Sequence, residues 1–219
     1  MIKNKISIIL PTSNRYNVAL ENIQNIKHQN YSDFEIILCD DSDADYYKSE
    51  SVHFQKELIK IPKTKYIYCA RFDLDGKKDY GLARARNFGV IAAEGEYLVF
   101  LDDRITPANE NVLSIFYNKL KSNKKVWCFG DKGAQKTSFV ENFSAIRRSH
   151  LIDAGMFCER IDKYGGQSRE LIARFVRQGF ALEYVPAALA RQVCKSGGWD
   201  KKDGEIVEMR KLLGKMWER

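Results

Sequence analysis

The 219-residue sequence has little of what binds transition metals or staples small folds. Its three histidines (28, 53, 150) are scattered, no Cys/His cluster has zinc spacing, and no Ser/His/Asp order suggests a hydrolase. Cysteines stand at 39, 69, 128, 158 and 194, an odd count without a CxxC pair. Several sit in apolar runs such as Ile37-Leu38-Cys39 and Trp127-Cys128-Phe129, so they read as reduced core thiols of a cytoplasmic protein rather than a disulfide framework. No apolar run approaches ~20 residues, which excludes a bilayer span, and the chain enters a strand almost at once, so no signal peptide is expected. GxGxxG and GxxxxGK[ST] are both missing, which removes the dinucleotide fingerprint and the P-loop. Internal repeats and low-complexity linkers are missing too.

What is present is globular composition: 44% apolar, 30% charged, 12% aromatic, with a net charge of +7. The positive balance favours anionic partners such as nucleotides, nucleic acid or an acidic membrane face. Short apolar runs at 5–10, 34–39, 65–69, 96–101 and 125–129 alternate with helical spacing at 18–27, 46–60, 82–93 and 109–121. Gly95 is expected to end the third of these helices. A strand at 143–147, a helix at 168–178 and a strand at 180–185 complete the expected core, with 131–142 as a loop. Continuous apolar strands between helices predict an α/β fold with a mostly parallel central sheet covered on both faces. Gly197-Gly198 separates this domain (1–195) from a last amphipathic helix near 203–217, in a segment 196–219 expected to pack on it. A lid or membrane-surface contact is the other reading of that helix.

Two strands end in paired acids, Asp40-Asp41 and Asp102-Asp103. Open α/β sheets bind ligands at the carboxyl ends of their strands. Acids there accept hydrogen bonds from a base or ribose, or hold a divalent cation through hard oxygens. One such pair alone is an ordinary turn former; two at matching strand ends point to a site.

The stretches IILPTSNR (8–15), DFEIILCDDSDAD (33–45) and GLARARNFGVIAAEGEYLVFLDD (81–103) resemble the family 2 glycosyltransferases of GT-A fold. SAIRRSHLIDAGMF (144–157) and YGGQSRELIARFVRQGF (164–180) resemble that family's acceptor side. The resemblance implies an enzyme that moves a sugar from a nucleoside-diphosphate sugar to a hydroxyl acceptor, with inversion. It places Pro11, Thr12 and Arg15 in the first nucleotide-binding loop, and Asp41, with Asp40 beside it, at the base or ribose. Arg84, Arg86 and Asn87 fall near the diphosphate or sugar. Asp102 and Asp103 fall on ribose, sugar and metal, with Asp103 as the Mn2+ or Mg2+ ligand and as a catalytic residue.

The sequence departs from the family pattern in three places. Arg104 stands where a third acid is usual. Gln167-Ser168 follow Gly165-Gly166 where the family has Glu-Asp and its general base; neither is a base near pH 7. Arg191 lies in the region that often holds a metal-binding histidine. Arg104 and Arg191 can clamp diphosphate in place of a cation; the alternative is that Asp103 still binds metal alone. For the base, Glu170 is the nearest acid, with Asp153, Glu159 and Asp162 as alternatives; an exposed pair of Glu170 with Arg174 is the competing reading. A glycan or lipid-linked sugar is the expected acceptor, at the inner membrane surface if lipid-linked. DNA carrying a modified base is the rival acceptor, and a catalytically silent nucleotide-sugar-binding subunit the rival class.

Overall fold

The computed structural model describes residues 1–193 apart from 73, 75, 134–138, 140 and 162–165. The expected helix at 203–217 and the division between 195 and 196 lie outside the described residues, as do Asp162 and Cys194. Four strands, β1 (Ile2–Thr12), β2 (Phe34–Asp40), β3 (Thr64–Tyr68) and β4 (Gly95–Leu101), run parallel in the order β3-β2-β1-β4. Beyond β4 come β7 (Phe143–Arg147), β6 (Val126–Asp131), β8 (Ala181–Gln192) and β5 (Ile105–Pro107), completing one eight-stranded order. The expected mostly parallel sheet is present, with β7 antiparallel to both β4 and β6.

Strand pleat sends alternate residues to opposite faces, and both faces are apolar. Ile8, Leu10, Ile36, Leu38, Val99 and Leu101 face α1 (Tyr16–Ile26), α2 (Ala44–Leu58) and α4 (Val112–Ser122). Ile9, Ile37, Cys39, Leu98 and Phe100 face α3 (Leu82–Ala92), α5 (Arg148–Asp153) and α6 (Gln167–Arg177). α3 lies close against β1 and β2 because Gly89 has no side chain: a Cβ there would sit 2.6 Å from Ile9 Cγ2 and 2.9 Å from Cys39 Sγ. Cys39, Cys69 and Cys128 are buried free thiols, as the apolar runs around them predict.

The sequence expectation needs three corrections. The last strand continues past 185 to Gln192, because β5 pairs with its second half (Thr106 opposite Arg191). β5, at three residues, and α5, at six, are too short to display a period and were not expected. Gly95 opens β4 rather than capping a helix; Ala93 is already extended, and Gly95 N–H donates to Ser7 Oγ at 2.9 Å.

That last bond belongs to a network on the amino edge of the sheet. Buried Glu35 accepts from Ser7 Oγ (2.6 Å) and Glu94 N–H (2.8 Å) and pairs with Lys65 at 2.8 Å. Lys5 and Lys65 also reach the Glu94 carboxylate, at 2.8 and 2.7 Å. The two lysines hold Glu94 down from 4.5 to about 2. Folded Glu94 therefore binds a proton more weakly than the unfolded chain, so its stabilisation is present above pH 4.5 and lost as pH falls toward about 2. In urea unfolding at about pH 6 and about pH 3, wild type should lose more stability than Glu94→Gln. Equal losses would refute the linkage.

Candidate functional site

The loops after β1, β2 and β4 meet at the carboxyl edge, with β1 between the two acidic strand ends. The loop after β1 is stitched to the one after β2. Thr12 C=O accepts Asp41 N–H (2.8 Å), Ser13 Oγ donates to Asp41 C=O (2.9 Å), and Asn14 N–H donates to Ser42 Oγ (2.8 Å). Asn14 has φ 55°, and its side chain closes a reciprocal pair with Asp43, donating to Oδ2 and accepting from the backbone N–H. Pro11 precedes this loop inside β1, opposite Cys39.

At the first corner the two acids part. Asp40 points to the α1 side with Leu38 and is fully buried. It accepts from Tyr16 Oη (2.6 Å), Tyr66 Oη (2.5 Å) and Ser42 N–H (2.9 Å). Its oxygens are spent on propping the corner, so the structure separates it from Asp41, beside which the sequence reading set it. Asp41 points to the α3 side. Lys78 Nζ lies 3.2 Å from Oδ2 and Arg84 Nη2 3.2 Å from Oδ1. Burial pushes the Asp41 carboxyl up, and the two cations pull against that rise. Arg84 is locked by a two-pronged pair with Asp79 (2.8 and 2.7 Å) and by Nε donating to Cys69 C=O (2.8 Å). Gly81 sits directly against this group: an added Cβ would overlap Asp41 Oδ1 and Arg84 Nη2. Lys78 and Asp79 were missed in the sequence because residues 70–80 carry no periodic pattern.

At the second corner, Asn22 of α1 donates to the carbonyls of Asp102 (3.2 Å), Asp103 (3.0 Å) and Ile105 (2.8 Å), which fixes the turn. Asp103 is 0% exposed. It accepts from Thr12 Oγ1 (2.8 Å) and takes the Arg15 fork through Nε (2.9 Å) and Nη2 (3.1 Å). Asp102 meets Arg104 through both oxygens at 3.3 Å. Burial and the Asp102 charge push Asp103 up to about 6, against the pull of Arg15. Asp102 keeps its charge to lower pH: burial opposes it, but the hydrogen bond with Asp103 and the Arg104 guanidinium hold it below the usual carboxylate range.

These residues do not fit a divalent cation. Hard cations want several open oxygen ligands, whereas each carboxylate here is engaged by its own guanidinium and Asp103 is sealed. Among the described residues no group of three or more His, Cys, Asp or Glu is placed to hold a metal.

A third group adjoins Asp102. Asn142 C=O accepts the Asp102 N–H (3.1 Å), which brings Glu141 beside the end of β4. Glu141 Oε1 lies 2.7 Å from Arg86 Nη1, and Oε2 accepts from Ser168 Oγ at the start of α6. Burial alone would raise Glu141; the Arg86 charge and the Ser168 hydroxyl outweigh it and hold the carboxyl below its ordinary value. Arg86 is buried over the Phe157 ring, 5.2 Å from its centroid, and among the described residues its Nε has no hydrogen-bond partner. Lys132 donates to Asn142 Oδ1 at 2.8 Å. Glu141 and Lys132 lay in the stretch read only as a loop.

The other sequence candidates stand apart. Glu170 is bound through both oxygens by Arg174 (2.7 Å each), and Arg174 also donates to the carbonyls of Ala154 and Met156. This is the i,i+4 pair that the sequence set against a catalytic Glu170. Asn87 is spent on the segment after α5, bonding Phe157 N–H and C=O and Glu159 Oε1. Glu159 is exposed there, and Asp153 is exposed on α5. Arg191, opposite Thr106 in the strand that follows the second corner, is exposed and donates to Asn25 Oδ1 (3.1 Å).

Comparison with known proteins gives a consistent picture. The model of "Glycosyl transferase family 2" matches residues 7–171. A β-1,3-glucosyltransferase of Campylobacter jejuni, named for GalNAc(5)-diNAcBac-PP-undecaprenol, is 27% identical over 202 residues, covering 81% of this chain and 62% of its own. An Escherichia coli enzyme named UDP-Glc:α-D-GlcNAc-diphosphoundecaprenol β-1,3-glucosyltransferase is 29% identical over 111 residues, covering 50% of this chain and 39% of its own. The chain thus spans 62% or less of the length of these relatives. Among solved structures, a mannosyltransferase of Pyrobaculum calidifontis in complex with GDP-Man and Mn2+ superposes with a TM-score of 0.70. It is 17% identical and covers 89% of this chain and 58% of its own. That likeness shows the GT-A fold.

Proposed function

The chain belongs to glycosyl transferase family 2, and from that premise we propose that it transfers a sugar, with inversion, from a nucleoside-diphosphate sugar to a hydroxyl of a lipid-linked glycan. The observation that carries this is the pair of acidic strand ends on either side of the 12–15 loop, each backed by arginine. In this reading Asp41, with Lys78 and Arg84 behind it, takes the nucleoside. Asp102 and Asp103 order Arg104 and Arg15, which face the diphosphate. The diphosphoundecaprenol names of the two relatives favour a lipid-linked acceptor over a modified base in DNA. No described helix is long and apolar enough to cross a membrane.

Transfer from UDP-glucose, UDP-N-acetylglucosamine and GDP-mannose to a polyprenyl-diphosphate-linked N-acetylglucosamine tests the reading. Failure with every donor, with nucleotide binding retained, favours the catalytically silent subunit. The guanidinium arrangement makes a second prediction. Titration calorimetry with UDP or GDP should give affinities that differ by less than about threefold with Mn2+ or with EDTA, since arginine forks carry the phosphate charge. Strict dependence on Mn2+ would sink that claim.

Gly81→Ala isolates the first corner. Its new Cβ overlaps the Asp41 carboxyl and Arg84 Nη2, so the ion pair cannot stay in place. The expected result is a melting temperature lowered by several degrees, because a buried ion pair is displaced, and nucleoside diphosphate binding weakened about 10- to 100-fold at a temperature where the variant is folded, the loss of one or two charge-assisted hydrogen bonds. Unchanged affinity would remove Asp41 from the binding site.

A further inference from the structure

The geometry points to Glu141 as the catalytic base of the transfer. This rests on the glycosyltransferase reading above and adds the residue that accepts the proton. When the acceptor oxygen bonds to the anomeric carbon, the bond from that carbon to the diphosphate oxygen breaks. Its electron pair leaves with the nucleoside diphosphate, and the acceptor's hydroxyl proton passes to the Glu141 carboxylate. A positioned carboxylate on that proton is worth about 10²- to 10⁴-fold in rate.

Glu141 stands against the acids at the ends of β1's two neighbours, β2 and β4, and against Glu170 of α6. Asp103 is sealed and forked by Arg15, and Asp102 meets Arg104 through both oxygens. Asp41 meets Lys78 on one oxygen and Arg84 on the other. Glu170 is forked by Arg174, and Asp40 is closed in by two tyrosines and a backbone N–H. Glu141 differs. It meets a cation on Oε1 alone, and Oε2 faces a neutral, rotatable hydroxyl. Its side chain is 8% exposed: shielded from bulk water, yet not sealed as Asp103 is.

Its neighbours keep it charged and aimed. Arg86 of α3 supplies the positive charge, and among the described residues its buried Nε is left without a partner, so the guanidinium is not saturated by this one carboxylate. Ser168 of α6 donates to Glu141 Oε2, and the residue after Glu141, Asn142, takes Lys132 on its side chain and the Asp102 N–H on its carbonyl. Ser144 Oγ donates to the Glu141 carbonyl at 2.7 Å, fixing the backbone from β7. Arg86, Ser168 and Ser144 are positioning residues.

The test uses the full chain with the donor panel and the lipid-linked acceptor above. Glu141→Gln keeps the shape and removes the base. It should lower kcat about 10²- to 10⁴-fold while donor KM stays within about threefold. Ser168→Ala removes a hydrogen bond to the charged form, so the acid limb of the kcat–pH profile should move to higher pH. A merely structural Glu141 would leave that limb where it is. Glu141→Gln turnover within about threefold of wild type overturns the assignment. If Glu141→Gln does not fold, the Ser168→Ala profile decides, and an unmoved limb overturns it. Wild type inactive with every donor overturns the glycosyltransferase reading itself, a result separate from an active wild type matched by an active Glu141→Gln.

Discussion

Asp103→Ala is expected to lower the unfolding free energy by about 2–3 kcal/mol and to weaken nucleoside diphosphate binding at least about tenfold. Asp103 joins three pieces of chain: its own turn after β4, the Thr12 hydroxyl at the end of β1, and Arg15 at the start of α1. Removing one partner of a fully buried ion pair costs about 3–5 kcal/mol, mostly because the other charge is stranded. Here the Arg15 side chain is 40% exposed and can turn to water, which places the cost below that range. Released Arg15 no longer has a fixed direction, so the nucleotide loses a preorganised guanidinium as well. Asp103→Asn keeps an acceptor for Thr12 and should fall between wild type and Asp103→Ala. Urea unfolding reads the first effect and calorimetry with UDP or GDP the second. A midpoint unchanged in Asp103→Ala would mean that the Arg15 fork does not hold the turn.

The fold was legible where burial imposes a period. FEIILC and EYLVFL are apolar at every position but one, Glu35 and Glu96, because β2 and β4 are covered on both faces, and the helices between them show their inner residues every three or four positions. β5 and α5 left no such trace because three and six residues are shorter than the signal they would have to carry. The site was legible only as chemistry along the chain. Acids at two strand ends announced the two corners, but not that Asp40 and Asp41 take opposite faces; the pleat already implied it, since Asp40 follows Leu38 at a spacing of two. Glu141 had no local mark. It lies in an aperiodic stretch, and its two side-chain partners come from other helices, Arg86 before it and Ser168 27 residues after it. Contacts at such separations exist only once α3 and α6 have packed on the same face of the sheet. The pairing that holds Glu170, by contrast, was visible in the sequence, because Arg174 follows it by one helical turn.

Trp127→Ala should cost about 3–5 kcal/mol, the range for deleting a buried aromatic ring. Trp127 is the largest fully buried side chain among the described residues and packs edge-on against Phe175 of α6 and Phe139, with ring centroids 4.9 Å away in each case. Its loss opens a cavity between β6 and α6 that the sheet cannot collapse to fill. Trp127→Phe separates packing from the indole's polar atom. A phenyl ring keeps much of the apolar contact, so the stability loss should be closer to about 1–2 kcal/mol, but it removes the Nε1 hydrogen bond to Ser144 Oγ. That hydroxyl is the one that holds the Glu141 carbonyl. Core packing under α6 and the backbone of Glu141 therefore share a single oriented hydroxyl, donating in one direction and accepting from the indole in the other. If Glu141 takes the acceptor's proton, Trp127→Phe should lower kcat several-fold at a temperature where the variant is fully folded and leave donor KM unchanged. A kcat that falls only in step with the folded fraction would confine Trp127 to the core.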